Sequence, residues 1–203
     1  MKRGTIVKSI VIGLALVGML AFAGTARADF TSTFDFGPQD SGTTIQAGTD
    51  GFITWIAKGT LPAGSILTSV SVNARLDAQV DASDSYASDM LVYVDSEPSA
   101  PGTTGAILQV GGYGTISEDY VYRLYWANGG TGEVGATVID AKSAAEWSEL
   151  GDVDLNAAQL FIGNNYAAAT WSGTVSVTYT PEPATMSLLV LGGLTLLRRR
   201  RRA

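Results

Sequence analysis

The chain has 203 residues and a formal charge of −6, with no cysteine and no histidine. Without those two residue types there is no disulfide, no zinc centre of the Cys/His kind, and no serine or cysteine nucleophile activated by histidine. The acidic balance also argues against nucleic acid as a partner.

At the amino end, Lys2, Arg3 and Lys8 precede an apolar run from Ser9 to about Gly24, which leads into Ala26-Arg27-Ala28. A basic start, an apolar middle and small residues before the cut define a secretory signal peptide over residues 1–28. The expected partners are the Sec translocase and signal peptidase, with cleavage after Ala28 and Ala26 as the second small residue of the site. The alternative is an uncleaved anchor.

Residues 29–180 then form one acidic domain, in which Lys58, Arg75, Arg123 and Lys142 stand against 18 acidic residues, a net charge of −14. Such a domain repels nucleic acid and anionic membrane surfaces and attracts divalent cations. About 150 residues can bury about 70 % of the chain surface, enough for one core without disulfides.

Strand signals fill this domain. From Ile66 to Val80 one parity holds Ile66, Val70, Val72, Ala74, Leu76, Ala78 and Val80, while the other is largely polar. Trp171, Val175, Val177 and Tyr179 repeat the pattern near its end. Period two places one face on a core and the other in water. Shorter strands are expected over Phe30–Phe36, Phe52–Ala57, Met90–Val94, Ile107–Val110, Tyr120–Trp126, Val134–Ile139 and Gln159–Ile162. Turn residues fill the gaps, among them Leu61-Pro62-Ala63-Gly64. The spacing predicts an all-β fold, an antiparallel β-sandwich of about eight to ten strands, rather than βαβ units. One helical piece is expected where Ser143 and Glu146 have capping-box spacing ahead of Trp147 and Leu150.

Three groups of residues carry candidate chemistry. Asp77, Asp81, Asp84 and Asp89 offer oxygen ligands for calcium, although the stretch lacks the spacing of an EF-hand; a solvated acidic loop is the plainer reading. Tyr120, Tyr122 and Trp126 share one strand parity with Arg123 beside them, a platform for sugar rings if that face is open and core if it is not. Glu118-Asp119, Asp152 with Asp154, and Glu146 with Glu149 are carboxylate pairs, but glycoside hydrolysis needs two carboxyls opposed across a cleft, and adjacency in sequence does not supply that. No catalytic residue and no resident cofactor are expected.

The carboxyl end has three parts in strict order. Pro181-Glu182-Pro183 is held extended by its prolines, so the tripeptide is expected to be accessible. Residues 184–197 are 14 uncharged residues, about 21 Å as a helix, short of the hydrocarbon layer unless the bilayer thins or the arginine side chains reach out along it. Arg198, Arg199, Arg200, Arg201 and Arg202 then form a cationic stop, which belongs on the cytoplasmic side and places the preceding domain outside.

The tail, residues 181–203, resembles the PEP-CTERM sorting signal of Gram-negative bacteria. The resemblance implies processing by an exosortase near the Pro-Glu-Pro motif and a role at the cell surface or in an extracellular matrix of biofilm and exopolysaccharide. It also implies a stage anchored in the inner membrane before processing. An ordinary single-pass anchor is the alternative for the same segment. The middle domain resembles jelly-roll and galactose-binding-like domains, a likeness carried by Leu61-Pro62-Ala63-Gly64-Ser65-Ile66 opening a long strand. The expectation is therefore an exported, non-enzymatic matrix protein. The alternative is a carbohydrate-binding module for matrix polysaccharide, with calcium as its one candidate ion.

Overall fold

The computed structural model describes residues 28–39, 41–46, 51–80, 85–97, 104–112, 122–164 and 166–181. The signal segment with Ala26, the tail from Glu182 onward with Pro183 and Arg198–Arg202, and Asp81, Asp84 and Tyr120 lie outside the described residues. Asp29–Thr180 is one compact unit.

That unit is all-β. Its strands are β1 (Phe30–Asp35), β2 (Thr43–Ile45), β3 (Ile53–Ile56), β4 (Ile66–Gln79), β5 (Met90–Asp95), β6 (Ala106–Gly111), β7 (Tyr122–Leu124), β8 (Thr137–Ser143), β9 (Gln159–Asn164) and β10 (Ala169–Thr180). One sheet has the order β1-β10-β4-β8, with β2 also on β10; the other runs β3-β9-β5-β6-β7. All pairings are antiparallel except β6 with β7.

The long pair β4–β10 forms the spine of the first sheet. Val70, Val72, Ala74 and Leu76 are buried on β4, and Trp171, Val175 and Val177 are buried on β10, as the alternation predicts. The alternation breaks at both ends of β4. Trp171 faces Leu76 while the preceding Thr170 faces Ala78, so Asp77 has no partner across the ladder and the parity of the strand reverses there. An extra residue in one strand re-aims every side chain beyond it. Ala78 is therefore exposed and Val80 lies 55 % in solvent, contrary to the expected face, while the Asp77 side chain is drawn inward. A second shift opposite Tyr179 buries Leu67 in place of Ile66.

One hydrophobic cluster draws on both sheets: Val70, Val72, Leu76, Trp171 and Val175 from the first meet Val92, Val94, Leu108, Val110, Leu160 and Ile162 from the second. A smaller cluster of Leu91, Tyr93, Ala106 and Phe161, with Phe52 packed on it, occupies the opposite parity of the second sheet. Phe52 approaches both rings, with centroids 6.1 Å from Tyr93 and from Phe161. This explains why β5 and β9 are buried on both faces, and why they read as continuous apolar runs rather than alternating ones.

No α-helix occurs among the described residues; two 3₁₀ turns do, Ala87–Asp89 and Ser148–Leu150. The expected helix after Ser143 is corrected to a turn followed by the second of these. Half of its capping box is present, because the Ser143 N–H donates to Glu146 Oε2 at 2.8 Å. The segment turns over to bury Trp147 and goes no further, since Gly151 follows at φ +79°. Leu61-Pro62-Ala63-Gly64 is the expected turn, closed by the Ser65 N–H on the Pro62 carbonyl at 3.2 Å.

Candidate ligand groove

β5 begins, β6 ends and β9 ends at one edge of the second sheet, as the pairings Met90 with Asn164 and Leu91 with Gly111 require. The loops leaving that edge enclose a groove of about 430 Å³. Tyr86, Ser88 and Asp89 line it from the 3₁₀ turn before β5, Gly112 from the end of β6, Tyr125 and Trp126 from the exit of β7, Gly130 from the next loop, and Tyr166 from the β9–β10 loop. Tyr125 and Tyr166 are 51 % and 54 % exposed, whereas Trp126 is 6 % exposed and Asp89 1 %.

Backbone and buried groups tie the walls together. Trp126 Nε1 donates to the Met90 carbonyl at 2.8 Å, which fixes the indole against the start of β5. The Gly112 N–H donates to Ser88 O at 2.9 Å, and the Ser88 N–H to Gly129 O at 3.1 Å. Gly129 has φ +90°, and a Cβ there would press on Val138 and on the Ser88 nitrogen, so this crossing requires glycine. The loop is also fastened to β8: the Ala127 N–H donates to Asp140 Oδ2 at 2.6 Å, and the Asn128 side chain bonds both the N–H and the C=O of Ile139.

Asp89 closes the 3₁₀ turn on itself, its Oδ2 accepting the Tyr86 N–H at 2.7 Å while its own N–H donates to Tyr86 O at 3.0 Å. Burial pushes the Asp89 carboxyl above the ordinary carboxylate range, against the opposing pull of the Tyr86 N–H. Among the described lining residues there is no lysine or arginine, and Asp89 is the one carboxylate. Asp89 by itself is not the opposed carboxylate pair that glycoside hydrolysis uses. A partly apolar concavity with a few convergent polar groups is, however, the usual form of a small-molecule site.

Trp126 lines the groove, but as a buried wall. Tyr122 packs half-buried against the core with its hydroxyl donating to Glu146 O at 3.1 Å, so it belongs to the core and not to an open platform. Arg123 alternates to the other side of β7, where its charge acts on Tyr93. Tyr122 and Arg123 therefore do not form one binding face, because neighbours on a strand point to opposite sides. All four tryptophans lie in or against the core, Trp55 packed on it and Trp126, Trp147 and Trp171 within it. Tyr125, Tyr86, Tyr166 and Asp89 as a group were not foreseen.

Of the expected calcium ligands, Asp77 faces Arg75 Nε at 3.6 Å and Asp89 holds Tyr86. Among the described residues no three of His, Cys, Asp and Glu are grouped to hold a metal ion. Two of the other carboxylates singled out have local partners, Asp154 Oδ1 accepting the Asn156 N–H at 2.8 Å and Glu146 pairing with Lys142 at 3.5 Å; Glu118 and Asp119 lie outside the described residues. Pro181 follows β10 directly, and the rest of the expected accessible tripeptide, Glu182 and Pro183, lies outside the described residues. Among the described residues no helix is long and apolar enough to cross a membrane. Compared with protein-family models, with curated proteins and with solved structures, the chain finds no match.

Proposed function

We propose that this chain is a non-enzymatic exported protein that joins the cell surface or extracellular matrix of a Gram-negative bacterium and works there by binding matrix polysaccharide. The observation that carries the binding is the groove, in which Tyr125 and Tyr166 offer half-open aromatic faces beside Ser88 and the buried Asp89. Flat apolar rings suit the C–H faces of pyranose units, and adjacent polar groups orient their hydroxyls. The scaffold in this reading is a jelly-roll-like β-sandwich. Setting aside β2 and β7 leaves two four-stranded orders, β1-β10-β4-β8 and β3-β9-β5-β6, around one shared core, and this supports that architecture.

Delivery belongs to the two ends. The signal peptide leads the chain to the Sec translocase, residues 184–197 hold it in the inner membrane with Arg198–Arg202 inside, and an exosortase acts near Pro181-Glu182-Pro183. The order of proline-fenced motif, apolar segment and arginine stop supports the sorting step. Two experiments address the two halves. Replacing Tyr125 and Tyr166 together by alanine is expected to weaken retention on exopolysaccharide from the producing strain about tenfold, two stacking contacts' worth; undiminished retention removes the groove from the account. Replacing Pro181-Glu182-Pro183 by alanines is expected to leave an uncut, membrane-bound product. Release of the same mature fragment from that variant would refute the sorting step.

A further inference from the structure

Resting on the saccharide-binding reading, we infer that the groove is built for an amino sugar, with the free ammonium of a de-N-acetylated hexosamine seated among the tyrosines and opposite Asp89. Two independent features of the groove point to a cation. The first is its aromatic content: Tyr86, Tyr125, Tyr166 and the Trp126 wall surround one small volume. Aromatic faces carry negative charge density and attract ammonium groups, most strongly where water is thinned out. The second is the carboxylate. Asp89 is 1 % exposed, and among the described lining residues no lysine or arginine answers it. A buried carboxylate held by one backbone N–H retains acceptor capacity that a neutral hydroxyl meets only in part and an ammonium meets in full.

The charge of the whole domain bears on the choice of polymer. With a net −14 over residues 29–180, a uronate or sulfated polysaccharide is repelled before it reaches the groove. A chain carrying free amines is steered toward it. N-acetylation would remove the charge and leave the acid unanswered, so the groove reads the acetylation state of the sugar.

The test uses the full chain in a non-sugar detergent at about pH 7, where hexosamine amines are substantially protonated. Ligands are a glucosamine tetramer, the N-acetylated tetramer of equal length, and tetralysine. The free-amine tetramer is expected to bind about tenfold tighter than the acetylated one. Asp89→Asn, which keeps an acceptor for the Tyr86 N–H and removes the charge, is expected to abolish that preference while retaining the weaker binding. Glu149→Gln, the same charge change at an exposed site away from the groove, is expected to change neither. Should Asp89→Asn fail to fold, tetramethylammonium decides on the wild type. It is expected to displace the free-amine tetramer at an ionic strength where sodium does not.

Equal binding of the two tetramers overturns the ammonium inference and leaves the saccharide reading standing, and binding of neither overturns both. A preference that survives Asp89→Asn, or a complex that tetramethylammonium does not disturb, removes Asp89 and its aromatic surround from the explanation. Tetralysine binding as tightly as the glucosamine tetramer shows an ammonium site that is not a sugar site.

Discussion

At Gly111 the backbone has φ +87°, and a Cβ would overlap both the Trp126 indole nitrogen and the Met90 carbonyl, the two ends of the bond that fixes the groove wall. Gly111→Ala is expected to cost about 3 kcal/mol, combining a left-handed backbone with overpacking. Urea melts should show that loss together with a shift of tryptophan emission; a variant as stable as the wild type would mean the wall can yield. Asp140 makes the stability of the fold depend on pH. Burial alone would raise its carboxyl, but the Ala127 N–H, the Lys142 ammonium and the Ala141 N–H together hold it below the ordinary carboxylate value of 3.8. A depressed folded value stabilises the fold above the unfolded value, and that stability drains away as pH falls through the folded one. The melting temperatures of wild type and Asp140→Asn should thus differ most at neutral pH and converge below pH 3.8. A gap that ignores pH would trace the loss to geometry, not charge. At the alkaline end, burial opposes but Asp140 and Glu146 outweigh it and raise Lys142 above 10.5, so its contribution is complete below that pH and fades above it.

β8 shows how a whole element depends on a single neighbour. Its inner edge pairs with β4, and across its outer edge the Asn128 side chain donates to the Ile139 carbonyl at 2.7 Å and accepts its N–H at 2.9 Å, as a further strand would. Ile139 stands 59 % exposed beside that bond. Removing the amide leaves an open edge with an apolar side chain on it, the usual template for pairing with another chain. Asn128→Ala is expected to lose about 1–3 kcal/mol for the two hydrogen bonds and to scatter light increasingly with concentration. Unchanged melts and a monodisperse solution would show that Asn128 is dispensable there. The same strand marks the limit of reading elements from sequence. Its half-buried positions are Asp140 and Lys142, an ion pair at 3.0 Å, so only Val138 announces a core face. A strand was expected from Val134, which instead sits exposed in the preceding turn. β4 and β10 were legible because long runs of alternating Val, Ala, Ser and Thr leave no other solution. β2, three residues long, exists through its pairing with β10 and carries no periodic signal of its own.

For the whole molecule, the groove was not legible: of its lining residues the sequence singled out only Asp89, as a calcium ligand, and Trp126, as part of a strand-borne platform. Tyr86, Asp89, Tyr125 and Tyr166 lie on three separate loops, and they converge only once β5, β6 and β9 are in register. A strand-based search for aromatic faces finds Tyr122 and Trp126, which the core claims first, because a stripe of alternating apolar residues is buried wherever a second sheet can cover it. Charge is a property that sequence does state for the whole domain. Four basic residues face 18 acidic ones in residues 29–180, and the described ion pairs engage only Arg75 and Lys142. Most of the carboxylates therefore repel one another, and the folded state concentrates that repulsion more than the unfolded chain does. Raising NaCl from about 10 to about 100 mM shortens the screening length from about 30 to about 10 Å, which relieves repulsion between distant acids while barely touching the buried contacts. The melting temperature should rise, by about 2–4 °C for each kcal/mol relieved. A flat or falling curve would mean that attraction between the few pairs outweighs repulsion among the many. Calcium chloride at matched ionic strength is expected to trace the same curve, since Asp77 already faces Arg75 and Asp89 already holds the Tyr86 N–H. A further rise at millimolar calcium would separate a bound ion from screening and return those carboxylates to the role their sequence suggested.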